Sequence, residues 1–233
     1  MNSKPVIILA GGFGTRLQRV LNGLPKPLAD INGTPFLKYL FIQLLNEGFN
    51  EFIISLYYEP DQIIEYVELL RNDLLKDSRI SYCVEPKPMG TGGAISYLIG
   101  QLNLKERFLV VNADTLLGSG YELLGSFDTD VIALVEVQDT SRYGTVEVDS
   151  HNQIIRFLEK EPSSERGLIN AGIYNLNPQI FKDWIDNVCS LELDIFPKLI
   201  SEKKLKGIRV QSPFIDIGIP KDYFKFCMQN RPQ

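Results

Sequence analysis

The sequence predicts an α/β fold with a doubly wound, mostly parallel sheet. In the first half of the chain, short apolar runs rich in β-branched and aromatic residues alternate with stretches of helical periodicity. Runs of this kind are typical of strands buried on both faces by helices. From residue 130 onward, several strand-like segments follow one another closely and predict a β-rich lobe on the same sheet.

The alternation in the first half defines four strands and three helices. The predicted strands are VIILA at 6–10, FIISLYY at 52–58, RISYCV at 79–84 and RFLVVNA at 107–113. The predicted helices are 34–48, 60–71 and 91–102. In the first helix, Thr34 is the expected N-cap, Pro35 the first helical residue and Gly48 the stop.

The second half predicts strands in DVIALVEVQ, in YGTVEVDSHNQIIRFLEKE and in LINAGIYNLN. A turn over 149–152 is expected to join two of them, and it contains His151, the only histidine. A histidine in a solvated turn is rarely a catalytic base, so the sequence does not favour a histidine-dependent reaction. Helices near 178–186 and 194–204, a short strand in FIDIGIP and a final helix complete the prediction.

Composition limits the classes of function. With 233 residues, 44% hydrophobic and 23% charged, the chain should fold as one domain over 1–233. We expect this domain to consist of two parts, 1–129 and 130–233. A net charge of −5 excludes a general nucleic-acid partner. The N-terminal apolar run is too short for a membrane span, and Cys83, Cys189 and Cys227 have no metal or redox spacing. We therefore expect a cytoplasmic protein with reduced thiols and no membrane partner.

The loop AGGFGTR at 10–16 follows the first predicted strand, where ligands bind in such sheets. A dinucleotide site needs a third glycine where Leu17 stands, and no P-loop lysine followed by Ser or Thr comes near. Two interpretations stay open for the loop alone. It is a strand-to-helix turn, or it is a phosphate site with Arg16 as a charged donor.

The segment LPKPLADINGTP favours the phosphate site, because Pro25 and Pro27 restrict the backbone of Lys26 near the loop. GGFGTRL followed by PKP resembles the opening signature of the sugar-phosphate nucleotidyltransferases. The resemblance implies that Arg16 and Lys26 bind a nucleoside triphosphate. It also implies nucleotide contacts from the loop and the strand end, at Leu9, Ala10, Gly11, Gly12, Gly14 and Thr15.

Further motifs of this family follow in the family's order along the whole chain. EPKPMGTGGA resembles its second nucleotide loop, which implies roles for Glu85, Gly90 and Thr91. VVNADT and FIDIGIP resemble its metal-binding segments, which implies Mg²⁺ on Asp114 and Asp216. RYGTVEVD, FLEKEP and INAGIY resemble segments around the sugar phosphate, which implies Gly144, Glu159, Lys160, Asn170 and Gly172. Taken singly, Asp114 and Asp216 could instead cap helices, and Glu159 and Lys160 could be solvated charges.

The family resemblance implies a Rossmann-like sheet of the nucleotide-diphospho-sugar transferase type, with 1–129 binding nucleotide and 130–233 binding sugar phosphate. It implies transfer of a nucleoside monophosphate to a sugar 1-phosphate, with release of pyrophosphate, for cell-surface polysaccharide synthesis. Arg16, Lys26, Asp114 and Lys160 are then the catalytic residues. The apolar final helix could pack on its own sheet or on a second copy of the chain, so a homo-oligomer stays open.

Glu85 suggests which base is bound. It stands five positions before Gly90, where family members that use uridine or thymidine nucleotides commonly have glutamine. A carboxylate only accepts hydrogen bonds, which matches the two donors of guanine and opposes the carbonyl oxygens of uracil. This predicts GTP.

The motifs are most similar to those of members that act on D-glycero-D-manno-heptose 1-phosphate. Mannose 1-phosphate and a uridylyl- or thymidylyltransferase of the same family stay open. From other classes, a non-catalytic regulatory module that binds nucleotide sugars and a dinucleotide-dependent oxidoreductase are the alternatives. A non-catalytic module should lack a catalytic cation or a metal ligand, but the sequence contains all of them: Arg16, Lys26, Asp114, Lys160 and Asp216. Leu17, in place of the third glycine, counts against the oxidoreductase.

Overall fold

The computed structural model describes residues 4–21, 23–158 and 165–231, without the side chain of Arg19. Two predicted site residues, Glu159 and Lys160, lie outside the described residues. None of the helices in these ranges has the length and apolar character needed to cross a membrane.

The described chain alternates strands and helices in its first half and is richer in strands in its second. The strands are β1 Val6–Leu9, β2 Asp30–Ile31, β3 Thr34–Pro35, β4 Glu51–Leu56, β5 Arg79–Val84, β6 Phe108–Asn112, β7 Thr115–Leu117, β8 Asp130–Val137, β9 Thr145–Val148, β10 Ile154–Leu158, β11 Gly167–Leu176, β12 Leu205–Arg209 and β13 Phe214–Asp216. The α-helices are α1 Gln18–Leu21, α2 Phe36–Asn46, α3 Pro60–Arg71, α4 Gly90–Leu102, α5 Tyr121–Gly125, α6 Phe196–Ser201 and α7 Pro220–Gln229.

Nine of these strands form one mixed sheet. Its main path is β10-β9-β11-β6-β1-β4-β5, and β8 pairs with both β11 and β12. β4 is parallel to β1 and to β5, and β12 is parallel to β8. β8, β9, β10 and β11 pair antiparallel. The doubly wound α/β fold is therefore confirmed, with a large antiparallel part in its second half.

The chain forms two compact units. The first contains residues 1–88, 111–119 and 213–233, and the second contains 89–110 and 120–212. Each unit is thus assembled from separate stretches of sequence, and neither ends between residues 129 and 130. The single domain with parts meeting at that point stays a prediction.

In the first unit, α2 packs on the parallel strands, and α3 buries one apolar face. Ile63, Val67 and Leu70 recur at helical spacing and are buried on α3. Phe41 of α2 packs edge-on against Phe52 of β4 with ring centroids 5.1 Å apart. These contacts bury the strands and leave their carboxyl ends to carry the loops of the candidate site.

A second buried cluster in this unit joins segments that are far apart in sequence. Its members come from the residues after the glycine loop, from 29–36, from the residue after β13 and from α7: Leu17, Leu21, Ala29, Ile31, Phe36, Ile217, Tyr223 and Phe226. The Tyr223 hydroxyl also donates to the carbonyl oxygen of Asp30 at 2.7 Å. The cluster therefore holds the segments around Lys26 and Asp216 together.

In the second unit, a tight turn joins β9 and β10, as predicted. The Asp149 carboxylate accepts hydrogen bonds from the backbone N–H groups of His151 and Gln153 at 2.8 and 2.9 Å. Asn152 adopts a left-handed conformation with φ of 61°. His151 is exposed, which agrees with its interpretation as a turn residue.

The start of the first helix was predicted wrongly. Thr34 pairs with Ile31 in a small hairpin, and α2 begins at Phe36 with Pro35 as its N-cap. Asn32 and Gly33 have φ of 53° and 90°, the left-handed pair of a type I′ turn. The Asn-Gly signal in the sequence specifies this hairpin, which removes Thr34 from the capping position.

The helices predicted near 178–186 and 194–204 also differ. Pro178–Trp184 is a 3₁₀ helix, and the next segment is a π-helical turn, Leu191–Ile195, followed by α6. Pro197 lacks an N–H group and so cannot continue a regular α-helical ladder from this turn. β12, β7 and α5 were not predicted.

Candidate functional site

The glycine loop packs directly on Lys26 in the first unit. Gly14 has φ of +60°, and a Cβ placed on it would lie 3.1 Å from the Lys26 Cβ. A side chain at position 14 would therefore be strained in its backbone and would crowd the lysine. Gly12, Thr15 and Arg16 are exposed in the same loop. The structure thus brings together the two halves of the motif.

Leu17 anchors the end of this loop. It is fully buried within the cluster that includes Ile31 and Ile217. The position at which the dinucleotide pattern fails is therefore a core position, and its apolar side chain ties the loop to the segments that carry Lys26 and Asp216.

A short 3₁₀ helix, Lys26–Leu28, positions Lys26. Pro25 and Pro27 are buried on either side, and the N–H of Leu28 donates to the carbonyl oxygen of Pro25 at 2.8 Å. The Lys26 side chain is 14% exposed, and its ammonium group forms an ion pair with Asp114. The predicted rigidity of this lysine agrees with its burial and with the flanking prolines.

Asp114 and Asp216 come together because β7 pairs with β13. Asp216 stands opposite Thr115 in this ladder, and the Ile217 N–H donates to the Asp114 carbonyl oxygen at 3.0 Å. A Cβ on Gly218 would lie 2.7 Å from the Asp216 Oδ1 and 3.2 Å from the Lys26 Nζ. Lys26, Asp114 and Asp216 therefore converge at one place.

The donor set at this place fits Mg²⁺. Magnesium is usually held by one or two carboxylates together with substrate phosphates, not by a complete protein cage. Among the described residues, no group of three or more His, Cys, Asp or Glu side chains could hold a metal. Asp114 and Asp216 supply two carboxylates of such an incomplete protein site, and Lys26 balances the charge of Asp114.

Glu85 lies against the glycine loop. Its side chain is buried, with 8% exposure, and a Cβ on Gly11 would lie 2.9 Å from the Glu85 Oε1. The Ser55 hydroxyl donates to the same oxygen at 3.5 Å. Burial raises the pKa of the neighbouring Cys83 thiol, and the Glu85 charge raises it further. The carboxylate is thus placed within the loop region and away from open solvent.

Gly11→Ala tests this close packing. The added Cβ would also lie 3.1 Å from the Tyr57 backbone nitrogen, so we expect the free energy of unfolding to fall by about 1–3 kcal/mol. Gly12→Ala is the matched control, because its Cβ would have nothing within 4 Å. Urea unfolding of both variants measures the difference, and equal stabilities would contradict the geometry.

An aromatic cluster beside the loop was missed by the sequence reasoning. The Phe13 ring lies 5.7 Å from the Tyr57 ring and 5.5 Å from the Tyr58 ring. Phe13 is nevertheless 46% exposed. The signal was present in the sequence as an aromatic residue between the loop glycines and a tyrosine pair at the end of a predicted strand.

In the second unit, Gly90 and Thr91 pack against the segment before α6. Gly90 has φ of +74°, and its Cβ would lie 2.5 Å from the Cys189 carbonyl oxygen, so glycine is required there by packing alone. The Thr91 hydroxyl accepts from the Leu191 N–H at 2.9 Å and donates to Glu192 at 3.2 Å. Their roles in nucleotide binding stay predictions.

Asn170 and Gly172 lie where β11 shifts its register against β8. The Gly172 N–H donates to the Asn170 Oδ1, and the Asn170 Nδ2 donates to the Tyr174 hydroxyl, both at 2.9 Å. Such irregular positions in strands often direct side chains toward a site. A Cβ placed on Gly144 would lie 2.9 Å from the carbonyl oxygen of Leu158. Leu158 is the last described residue before 159–164, which lie outside the described residues.

The family model for nucleotidyl transferases matches residues 5–232. The chain belongs to this family. The family predicted from the glycine loop and Lys26 is thereby confirmed. Of the residues implied by the resemblance, Lys26, Asp114 and Asp216 form one cluster in the first unit of this family member, whereas Gly90, Thr91, Gly144, Asn170 and Gly172 lie in the second unit.

Two curated relatives match nearly the full chain. The D-glycero-alpha-D-manno-heptose 1-phosphate guanylyltransferase of Campylobacter jejuni is 36% identical over 226 residues, covering 96% of this chain and 99% of that protein. The protein of the same name from Aneurinibacillus thermoaerophilus is 38% identical over 225 residues, covering 94% and 95%.

A solved structure is similarly close. HddC from Yersinia pseudotuberculosis complexed with GMP-PN has a TM-score of 0.84 and 37% identity, covering 98% of this chain and 100% of that chain. The similarity in sequence and in fold therefore extends over almost the whole family member, including both units.

Proposed function

We propose that this family member transfers GMP from GTP to D-glycero-D-manno-heptose 1-phosphate and releases pyrophosphate. The observation that carries the proposal is the convergence of Lys26, Asp114 and Asp216 beside the glycine loop. The choice of GTP and heptose is supported by the relatives and the HddC complex named above. The product would serve cell-surface polysaccharide synthesis.

The nucleophile needs no basic side chain in this proposal. A phosphate monoester has a second pKa near about 6, so the sugar phosphate is largely ionised at neutral pH. Its oxygen attacks the α-phosphorus of GTP, a new phosphorus–oxygen bond forms, and pyrophosphate leaves with the electrons of the broken bond. The exposed turn position of His151 is consistent with such a reaction.

The main obstacle is the repulsion between two anions, and the proposed role of the site is to position and neutralise them. Arg16 and Lys26 would bind triphosphate oxygens, for which the Lys26 ammonium must exchange its partner Asp114 for phosphate. Asp114 and Asp216 would hold Mg²⁺, which supplies further positive charge to the phosphate oxygens when bound. Lys160 is proposed to contact the sugar phosphate.

Base selection is assigned to Glu85. Guanine offers an N1–H and an N2–H₂ group side by side, and a carboxylate accepts both. The burial of Glu85 makes this discrimination stronger, because repulsion between a buried carboxylate and the carbonyl oxygens of uracil is little screened by water. Gly11 would allow the base to approach along the loop, together with Leu9 and Ala10.

The sugar phosphate is assigned to Gly144, Glu159, Asn170 and Gly172, together with Lys160. Asn170 has the geometry of an oriented donor, because its amide oxygen is already used by the Gly172 N–H. Consumption of GTP agrees with the cytoplasmic location predicted from the sequence. A homo-oligomer stays a prediction.

A pyrophosphate-release assay tests the function. Purified protein is given GTP, ATP, CTP or UTP with heptose, mannose or glucose 1-phosphate, in Mg²⁺ and again with EDTA. We expect release with GTP and heptose 1-phosphate, and loss of release with EDTA. A preference for mannose 1-phosphate would overturn the assignment of the sugar, and a preference for UTP would overturn the assignment of the base. No release with any pair would favour the non-catalytic module.

A further inference from the structure

Glu192 is the centre of a hydrogen-bonded group in the second unit. It lies in the π-helical turn Leu191–Ile195 and is partly buried. Its Oε2 accepts from the Ser190 hydroxyl at 2.9 Å and from the Thr91 hydroxyl at 3.2 Å, and its Oε1 accepts from the Tyr174 hydroxyl at 3.2 Å. Three hydroxyl groups from three segments therefore meet on one carboxylate.

The turn itself holds Glu192 in place. The Ser190 hydroxyl oxygen accepts from the backbone N–H groups of Glu192 and Leu193 at 3.1 and 3.2 Å, so its proton is directed at the carboxylate. This arrangement caps the turn from within. The position of the carboxylate is thus set by its own segment before its contacts with Thr91 and Tyr174 are considered.

The direction of each proton in the group follows from the carboxylate. An ionised carboxylate can only accept, so Tyr174 and Thr91 must both donate to it. The oxygen of Tyr174 then accepts from the Asn170 amide, and the oxygen of Thr91 accepts from the Leu191 N–H. The Asn170 Oδ1 accepts from the Gly172 N–H, and one N–H of the amide donates to Tyr174. The second N–H of the amide therefore points away from this chain of hydrogen bonds.

We propose that Glu192 is a positioning residue that orients Asn170 for the sugar through Tyr174 and orients Thr91 for the nucleotide. This inference rests on the proposed function, which places Thr91 in the second nucleotide loop and Asn170 in the sugar pocket. Networks of this kind rigidify a site when every member is satisfied. The two arms leave from different oxygens of the same carboxylate, so each can be broken separately.

The test compares Glu192→Gln with single-arm variants. Glutamine has nearly the same shape but is uncharged and presents an NH₂ group, so one arm loses its acceptor and the other keeps only a weaker, uncharged one. We expect the KM values for GTP and for heptose 1-phosphate each to rise about 5–20-fold, with kcat changed less. Tyr174→Phe should raise only the KM for the sugar phosphate, and Thr91→Val only the KM for GTP.

Glu202→Gln is the matched control, since Glu202 pairs with Lys204 in the same unit outside the proposed site. It should leave both KM values unchanged. The inference is overturned if Glu192→Gln behaves like this control, or if the two single-arm variants raise both KM values equally. If thermal denaturation shows that Glu192→Gln does not fold, the two single-arm variants test the inference by themselves. Tyr174→Phe must then raise only the KM for the sugar phosphate, and Thr91→Val only the KM for GTP.

Failure of the proposed function looks different in this experiment. If the wild-type protein turns over no pair of triphosphate and sugar 1-phosphate, the function fails and the inference falls with it. If the wild type is active and the KM values do not separate as described, only the inference fails.

Discussion

Asp114→Asn is expected to lower the rate of pyrophosphate release by about 10²–10³-fold at ordinary Mg²⁺ concentrations. Asparagine keeps the size of the side chain but removes the charge that pairs with Lys26 and that is proposed to hold a magnesium ion. The contact contributes most when charge moves onto the leaving pyrophosphate, so kcat should fall more than affinity for GTP. Initial rates over a series of Mg²⁺ concentrations measure the effect.

Asp73→Asn serves as the control for Asp114→Asn. Asp73 is exposed just after α3 in the same unit and undergoes the same change of charge, so its variant should retain the wild-type rate. Thermal denaturation of both variants shows whether the fold is kept. A rate near that of the wild type for Asp114→Asn would rule out the metal assignment.

Glu85→Gln is expected to change the choice of base. A glutamine amide presents one acceptor and one donor, so its NH₂ group would face a guanine donor. Loss of a hydrogen bond to a charged group, with the opposed donors left behind, should lower kcat/KM for GTP by about 10²-fold. The same amide matches the alternating groups of uracil, so kcat/KM for UTP should rise relative to GTP.

The measurement is a competition between GTP and UTP with the products separated by chromatography. Glu65→Gln is the control, because Glu65 is exposed on α3 in the same unit. It should show the wild-type preference. If Glu85→Gln retained an undiminished preference for GTP, the carboxylate would not select the base, and its burial beside Gly11 would need another explanation.

Much of the fold could be read from apolar runs, because strands buried on both faces are apolar throughout. β4 was predicted closely for this reason, and the edge strand β5 was predicted from its β-branched and aromatic residues, although most of it is not buried. β12 was missed because LKGIR is only partly apolar and includes Gly207. A Cβ on Gly207 would lie 2.4 Å from the Leu134 Cδ1, so this glycine is required by close packing against β8 that the local sequence does not reveal.

The site divides in a similar way. Arg16, Lys26, Asp114 and Asp216 were identified as residues of a family motif before any geometry was known. Their partners were not. Lys26 was expected to be available for phosphate, whereas it is paired with Asp114, a residue 88 positions away. Nothing in the sequence indicated a role for Glu192, because an acidic residue in SLELDIFP is typical of a solvated turn.

The sequence by itself determined the α/β class, the family and the kinds of residue that its motifs place in the site. These properties depend on short-range order along the chain: periodicity, glycine loops and proline-flanked lysine. Only the tertiary structure decided which side chains meet. The pairing of β7 with β13 brings Asp216 to Asp114, and the packing of 187–195 on Gly90 and Thr91 brings Glu192 to its hydroxyl donors. Such contacts arise from strand register and core packing between distant segments, which local sequence does not specify.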